Sequence, residues 1–473
     1  MWTSINQALN IIDNFVWGVP LMVLIIAGGL LLTIRLGLLQ IRKLPLALKW
    51  MLQNEEGGKG EISSFSALCT ALSATIGTGN IVGVATAVCA GGPGALFWMV
   101  VAAFLGMATK YSEGLLAVKY RTVAEDGHSL GGPFYYIELG MGKKFKWLAK
   151  IFAFFGVCVG LFGIGTFSQV NGISSVVHGF FDPNDAFTVK ILPFLGEYSW
   201  SVVIASLILS FCVAAVLIGG VKRIASVSQI IVPFMAVIYF VFAVILICCN
   251  ITKVPAAFAT IVTAAFSPKA ITGGAVGSAP IAAAAAQTNS PVRQGLVSMT
   301  GTFIDTIIIC TLTGLSIVLT GAWQVEGLEG VQVTTYAFQH GLPFPAQFSS
   351  FILMLCLVFF AFTTILGWDY YSERCLEYLS GGNMKHVKIF RWIYILAVFI
   401  GPYMTVSAVW TIADIFNGLM AIPNMIALFA LSGVIVKETR AFFQHAKEEA
   451  LAEHRSFEEV CEENLNEEEA PAN

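Results

Sequence analysis

Apolar residues run along the chain in eleven long stretches, separated by short polar or charged segments. Most of the stretches reach the roughly 20 residues that an α-helix needs to cross a bilayer core. Lipid excludes a spanning backbone with unpaired N–H and C=O groups, and no segment has the alternation of a membrane β-strand. We therefore predict an all-α polytopic membrane protein with spans at 15–40, 63–90, 94–118, 147–180, 199–219, 224–249, 254–286, 294–321, 346–379, 388–403 and 405–436.

The composition agrees with this prediction and excludes other classes. Hydrophobic residues make up 57% of the chain and charged residues 12%, whereas a soluble protein has roughly a quarter of its residues charged. A net charge of -3 offers no basic surface for nucleic acid. The ten cysteines show no C-x-x-C spacing, so we expect small apolar residues rather than disulfides or metal ligands.

Basic residues follow the spans in an alternating pattern. All but three of the 26 Lys and Arg residues lie on or near one side, and the exceptions are Lys190, Lys253 and Lys269. Because basic loops are retained in the cytoplasm, we expect the N-terminus outside and the C-terminus inside. The Glu-rich segment 437–473 is then a solvated cytoplasmic tail.

The most informative polar segment lies in the middle of the second span. It contains three hydroxyl residues, Asn80 and two glycines, in the sequence SATIGTGN at 73–80. Glycine costs about 1 kcal/mol inside a helix, so this segment predicts a helix break that lines a polar cavity. The half-helix after a break presents N–H groups that suit a carboxylate, and the one before it presents carbonyls that suit a cation. A glycine-rich face for helix packing is the alternative interpretation.

Several motifs resemble those of the alanine or glycine:cation symporter family. They are ATIGTGNIVGVATA at 74–87 with GGPGALFWM after it, GTFSQVNGISS at 165–175, SAPIAAAAAQTNSPVRQG at 278–295, FIDTIIICTLTGL at 303–315 and FTTILGWDYYSER at 362–374. The resemblance covers nearly the whole chain. It implies a multi-pass protein of a bacterial inner membrane that takes up a small neutral amino acid, such as alanine or glycine, with sodium. Proton in place of sodium stays open, and we expect no cofactor and a monomer.

The resemblance also implies a leucine-transporter-like fold, with two inverted five-helix repeats and discontinuous helices. The expected division is an N-terminal part with one extra helix at 1–62, a first repeat at 63–249, a second repeat at 250–436 and the acidic tail at 437–473.

Aligning the break on that fold places five neutral oxygens around one sodium ion. Modest numbers of neutral oxygens suit sodium better than calcium, which prefers carboxylates. The alternative for the two hydroxyls is a bond back to the preceding helical turn. The implied ligands are the carbonyls of Ser73, Ile76 and Phe360 and the hydroxyls of Thr363 and Thr364.

The implied substrate site surrounds the same break. Trp368 is expected to wall the pocket and limit side-chain size, and Gln169 to bind the ammonium or the carboxylate. The alternatives are an interfacial tryptophan and an interhelical glutamine bond. The full set is Thr75, Thr78, Gly79, Asn80, Gly165, Phe167, Gln169, Gly273, Gly274, Ala275, Thr364 and Trp368.

Four acidic residues lie within or near the ends of spans. Asp305 and Asp414 are deep in their spans, where an acid is a functional candidate, although a structural bond to a helix end or a hydroxyl is the alternative. Glu113 and Asp369 lie nearer the predicted cytoplasmic ends, and we expect them to pair with Lys110 and Arg374 respectively.

The seventh span departs from the family pattern. Gly273 and Gly274 run almost directly into Ser278-Ala279-Pro280, so roughly twenty residues of the usual half-helix and the loop after it are missing. A transport-impaired variant or sensor is therefore the alternative to a symporter. A passive channel would need a continuous polar lining, and no motif of a membrane enzyme is present, so we expect no enzyme activity.

Overall fold

A computed structural model describes residues 2–53, 62–124, 129–190, 197–267, 288, 290–403 and 406–452 of the chain. The predicted site residues Gly273, Gly274 and Ala275, and most of the shortened seventh span, lie outside these ranges.

The first part of the described chain is helical except for two small hairpins. Residues 78–80 form one 3₁₀ turn between two helices, and Tyr136–Gly140 is π-helical. The elements are α1 Trp2–Val16, α2 Val19–Arg35, α3 Leu39–Arg42, α4 Leu44–Leu52, α5 Ser64–Thr75, α6 Val82–Gly91, α7 Gly94–Lys119, β1 Thr122–Val123, β2 Ser129–Leu130, α8 Pro133–Tyr135, α9 Lys146–Phe162, α10 Phe167–Phe181, β3 Thr188–Lys190, β4 Glu197–Ser199, α11 Trp200–Leu217 and α12 Gly220–Cys249.

The second part has only helices and short turns among its described residues. A π-helical segment, Phe303–Cys310, joins two of the helices without a break in the chain direction. The elements are α13 Val254–Ala264, α14 Pro291–Thr302, α15 Thr311–Thr320, α16 Val331–Gly341, α17 Ala346–Leu379, α18 Met384–Ile400 and α19 Val406–Ala452.

The prediction of an all-α polytopic membrane protein is confirmed. Within the described ranges, eight helical stretches are long and apolar enough to span a membrane, and α5 with α6 forms a ninth that bends by 65°. The helix described within predicted span 254–286 is α13, with 11 residues, and the one that overlaps predicted span 388–403 is α18, with 17 residues. Both are shorter than the eight helical stretches above. The count of eleven spans and the division into two repeats stay predictions.

Large apolar side chains cover the outside of the bundle, as lipid contact requires. Phe211 is 75% exposed, Phe266 71% and Ile230 67% in the protein alone. In water such a surface would be an aggregation liability, whereas in a bilayer it faces acyl chains. The outer surface of the described bundle therefore suits contact with lipid.

Small residues bring the inner helices into close contact, as is usual where helices associate within lipid. A Cβ added to Gly114 of α7 would lie 2.5 Å from the Ser298 Oγ of α14. Gly160 of α9 faces Ser372 of α17 in the same way. These contacts fix α7 and α9 against α14 and α17, which carry or adjoin the polar centre.

We expect Gly114→Ala to lower the melting temperature of the purified protein by several degrees. The new methyl group would also lie 2.8 Å from the Ser298 Cβ, and overpacking of this kind costs about 1–3 kcal/mol. Gly106→Ala, on the same helix, is the control, because its nearest neighbour would be the Thr302 methyl at 3.8 Å. Equal melting temperatures for the two variants would contradict the close α7–α14 contact.

Candidate functional site

The helix break predicted from the sequence is present, and it is narrower than expected. Ser73 and Thr75 still belong to α5, and the regular backbone stops at Ile76 and Gly77, where the chain is extended. The helix continues to Thr75 because its last turn finds carbonyl partners, such as that of Leu72 for the Ile76 N–H at 2.7 Å. The uncoiled strip therefore consists of two residues followed by one 3₁₀ turn.

Two side-chain amides occupy N–H groups that the break exposes. The Asn80 Oδ1 accepts from the Gly77 N–H at 3.0 Å, and the Gln169 Oε1 of α10 accepts from the Thr78 N–H at 3.0 Å. The Gln169 Nε2 donates to the Ile164 carbonyl at 2.8 Å. Gln169 thus makes the interhelical bond that was the alternative to substrate binding, and this bond lies directly at the break.

The Thr78 hydroxyl is the polar group at the break that remains available. It is fully buried and has no hydrogen-bond partner among the described residues. A buried hydroxyl without a partner costs free energy, so this atom fits a position that a polar ligand satisfies. Gly79, one residue later, is exposed and has open space where a Cβ would stand.

Oxygens of α5 and α17 meet on the other side of the break. The Thr364 Oγ1 lies 3.1 Å from the Ile76 carbonyl and 2.9 Å from the Phe360 carbonyl. Ser73 is adjacent, since a Cβ on Gly367 of α17 would lie 2.6 Å from the Ser73 Oγ. The structure thus brings together the Ile76 and Phe360 carbonyls and the Thr364 hydroxyl as neutral oxygens that suit a monovalent cation. The role of the Ser73 carbonyl as a ligand stays a prediction.

Thr363 and Thr75 have their hydroxyls turned toward other partners. The Thr363 Oγ1 donates within its own helix, 3.0 Å from the Phe360 carbonyl, and lies 3.6 Å from the Met235 Sδ of α12. The Thr75 Oγ1 lies 3.3 Å from two carbonyls of the preceding turn. Their roles in ion and substrate binding stay predictions.

Trp368 contacts the broken helix directly. Its Nε1 donates to the Ala74 carbonyl at 3.0 Å, and the side chain is only 3% exposed. Gly165 packs on it so closely that a Cβ there would lie 2.5 Å from the Trp368 Cβ. Phe167 packs on Phe162, with ring centroids 6.1 Å apart, and its contact with substrate stays a prediction.

Asp305 is a residue of the site whose role the sequence left open. The Asn80 Nδ2 donates to the Asp305 Oδ1 at 2.6 Å, and Thr306 donates to the other carboxylate oxygen at 2.9 Å. Asp305 therefore holds the amide of Asn80 in the orientation that places its oxygen on the Gly77 N–H. An acid inside an apolar run, FIDTIII, was the signal that could have indicated this partner.

The buried ion pairs confirm one prediction and correct another. Lys110 Nζ lies 3.2 Å from the Glu113 Oε2, as predicted. The prediction that Asp369 pairs with Arg374 is wrong, because Arg374 binds Glu377 at 2.8 Å, one turn further along α17. Glu377 lies at the i,i+3 spacing from Arg374 at which helical side chains meet, whereas both Asp369 oxygens lack a partner among the described residues.

An open cavity of about 2510 Å³ leads toward the break from one side of the bundle. Its wall includes Val82 and Gly83 of α6, Asn171 and Gly172 of α10, and Gln332 and Gln339 of α16. A Cβ on Gly172 would overlap the Thr78 methyl group, so this wall adjoins the break. Asp414 also lines the cavity, and its carbonyl accepts from the Trp17 Nε1 at 2.9 Å.

A helix broken at mid-span inside a bundle and reached by an open cavity is the architecture of secondary transporters. The class of protein that the fold and site define is therefore a multi-pass membrane transporter.

The profile of the sodium:alanine symporter family matches residues 2–456, and the chain belongs to that family. It is 44% identical over 470 residues to the sodium/alanine symporter AgcS of Methanococcus maripaludis, and the aligned region covers 93% of this chain and 98% of that protein. It is 51% identical over 467 residues to an uncharacterized transporter of Haemophilus influenzae, covering 94% and 97%. The amino-acid carrier protein AlsT of Bacillus subtilis is 33% identical over 468 residues, covering 95% and 94%.

The comparisons confirm the resemblance seen in the motifs. The chain is a sodium-coupled amino-acid symporter and not an enzyme. Nothing in the comparisons supports the alternative of a transport-impaired variant or sensor.

Proposed function

We propose that this protein imports small neutral amino acids, such as alanine or glycine, together with sodium across a bacterial inner membrane. The observation that carries the proposal is the break at Ile76 and Gly77, which has cation-compatible oxygens on one side and the unpartnered Thr78 hydroxyl on the other. A zwitterion and a monovalent cation fit these two sides of one site.

The packing around the break supports a small substrate. Gly77, Gly165 and Gly172 all lie where a Cβ would collide with Thr364, Trp368 or Thr78. Amino acids with long side chains would have to displace these contacts. We propose that Trp368 and Gly165 limit the substrate side chain and that Thr78 binds its carboxylate. Asn80, whose amide is engaged by Gly77 and Asp305, supports the shape of this site.

The carboxylate would be held without a positive side chain. Asn80, Thr78 and Gln169 are neutral, and the buried Lys110 and Glu113 bind one another. We propose that bound sodium itself supplies positive charge near the substrate carboxylate, with Ser73, Ile76, Phe360, Thr363 and Thr364 as its ligands. Binding of the two solutes would then be mutually favourable.

Sodium entry would provide enough free energy for accumulation. Moving one charge inward yields about 2.3 kcal/mol per 100 mV, and a tenfold sodium gradient adds about 1.4 kcal/mol. Together, about 3.7 kcal/mol would sustain a roughly 500-fold gradient of the amino acid. One sodium per substrate is thus sufficient for uptake from dilute solution.

Import also requires an orientation, which we propose from the basic loops. The cavity opens on the side where α6 ends and α10 ends, opposite the loop that holds Lys143 and Lys144. With basic loops in the cytoplasm, this opening faces outward and the N-terminus lies outside. The structure would then represent a state that is accessible to external substrate.

The direct test is uptake of labelled alanine and glycine by proteoliposomes under sodium, lithium or proton gradients imposed one at a time. Sodium-driven accumulation that saturates with substrate is expected. Absence of uptake with every gradient and small amino acid would favour the transport-impaired alternative. Unsaturable flux with a linear current–voltage relation would indicate a channel.

We expect Asn80→Ala to reduce sodium-driven alanine uptake at least roughly tenfold, because an unpaired buried polar group costs about 1–3 kcal/mol. The change removes the acceptor of the Gly77 N–H and leaves the Asp305 carboxylate without its amide donor. Initial rates against alanine concentration should show a higher KM. Asn383→Ala, which removes an exposed helix cap, is the control, and equal kinetics for the two variants would contradict the assignment of Asn80.

A further inference from the structure

Asp369 is a buried acid for which transport of sodium and amino acid gives no role. It follows Trp368 on α17 and is fully buried. Neither of its carboxylate oxygens has a hydrogen-bond partner among the described residues. Buried polar atoms are almost always bonded, so two unpartnered oxygens on one carboxylate are unusual.

Two charged groups and one tyrosine in the described part of the chain influence this carboxylate electrostatically. They are Glu373, one turn further on α17, and Arg391 and Tyr394 of the neighbouring helix α18. α9, which also packs on this part of α17, approaches with Gly156 and Gly160 against Cys375 and Ser372.

The positive charge next to Asp369 is already engaged. Arg391 binds Glu373 with two bonds, Nε to Oε1 at 2.6 Å and Nη2 to Oε2 at 2.8 Å. This two-point geometry is the strongest that a guanidinium makes with a carboxylate. The Tyr394 hydroxyl is also engaged, with the Ile365 carbonyl at 2.8 Å and the Gly165 carbonyl at 3.2 Å.

An ionised Asp369 would therefore be a buried charge without a partner, which costs several kcal/mol. A protonated carboxyl group avoids the cost of the charge, although its O–H and C=O still lack partners, which costs less than an unpaired buried charge. A metal ion fits poorly, because the Arg391 guanidinium would repel it and the neighbouring oxygens of Glu373 are taken.

We propose that Asp369 is a proton-binding site whose proton is exchanged with the predicted cytoplasmic side when α17 and α18 separate. In the exchange a proton passes between water and one Asp369 oxygen, with no other bond made or broken. The proton-binding site itself is inferred from the unpartnered carboxylate. Its effect on transport rests on the proposed function.

Loss of the proton has a structural consequence. The new carboxylate competes with Glu373 for Arg391, which draws α18 toward a different position along α17. Because α17 carries Trp368 and Thr364, both in contact with the broken helix, the state of Asp369 affects the site. The proton is thus linked to the step that opens the site toward the basic side.

The test of transport uses Asp369→Asn, which imitates the neutral acid. Alanine exchange is measured in proteoliposomes with equal sodium on both sides and with the internal pH varied. The parent rate should fall at least about threefold as the internal pH is raised and the carboxyl ionises, and the variant rate should stay level. Glu377→Gln, on the same helix in the Arg374 pair, is the control and should follow the parent.

The second measurement does not depend on transport. Infrared difference spectra of the purified full-length protein, parent minus Asp369→Asn at neutral pH, should contain the C=O stretch of a protonated carboxylic acid. Asp369→Ser serves the same purpose if the first variant is not stable. A parent without that band, or a variant with the parental pH profile, would overturn the proposal, whereas a parent without sodium-driven uptake would count against the proposed function alone.

Discussion

Gly77→Ala is expected to reduce sodium-driven alanine uptake by more than roughly tenfold. The new methyl group would lie 2.6 Å from the Thr364 Oγ1 and 2.9 Å from the Gln169 Oε1. Both atoms bind the backbone of the break, to the Ile76 carbonyl and the Thr78 N–H. Relief of the collision separates α17 and α10 from the break, and strain of this kind costs about 1–3 kcal/mol.

The measurement is the initial rate of uptake at saturating sodium, with the melting temperature recorded alongside it. Gly83→Ala is the matched control, because its Cβ would have no heavy atom within 4 Å. A Gly77→Ala protein with uptake and sodium dependence like those of the control would show that the three segments do not meet at this glycine.

Thr364→Val should raise the sodium concentration for half-maximal uptake by roughly 10- to 100-fold. Valine keeps the shape of threonine and removes the oxygen that lies between the Ile76 and Phe360 carbonyls. An interaction with a charged partner is worth about 1.5–3 kcal/mol, which corresponds to that range. The measurement is uptake against sodium concentration at fixed alanine.

Two further variants make this prediction specific. Thr364→Ser keeps the hydroxyl and should retain most of the sodium affinity. Thr320→Val removes a hydroxyl that bonds back to the Ser316 carbonyl at 2.8 Å in α15, and it should behave like the parent. If Thr364→Val has the sodium dependence of the Thr320→Val control, then Thr364 does not contribute an oxygen to the ion.

The break could be predicted from the sequence because its cause is local. The eight positions 73–80 include Gly77, Gly79 and Asn80 together with hydroxyl residues, and these residue types disfavour a continuous helix. In lipid such a segment can uncoil only where other protein groups or a polar cavity satisfy its backbone. The meeting of Ile76 with Thr364 depended on the family resemblance, since 288 positions separate them.

The partners of the break were harder to predict than the break itself. Asp305 lies 225 positions from Asn80, and neither residue type implies the other. Gln169 was expected to bind substrate, but its oxygen accepts the Thr78 N–H. Backbone groups released by a break take the nearest acceptor that tertiary packing provides, and spacing along one chain does not reveal that acceptor.

The wrong pairing of Asp369 has a similar origin. On sequence alone, Arg374 is a nearby base on the same helix, whereas Arg391 is on another helix across the Gly381-Gly382 turn. The packing of α18 then brings Arg391 to Glu373 and leaves Asp369 facing the bundle. The packing of α18 against α17 therefore decides which acid, Asp369 or Glu373, forms an ion pair with Arg391.

The last helix, α19, holds 47 residues in one element, so it is about 70 Å long, more than twice the thickness of a bilayer core. Its far part is anchored beside α7 by the Lys119–Glu438 pair at 2.9 Å, and the Phe442 ring packs edge-on against Trp50 of α4 with centroids 6.2 Å apart. A fluorescent label attached to this far part would consequently report how α19 moves relative to α4 and α7 during transport.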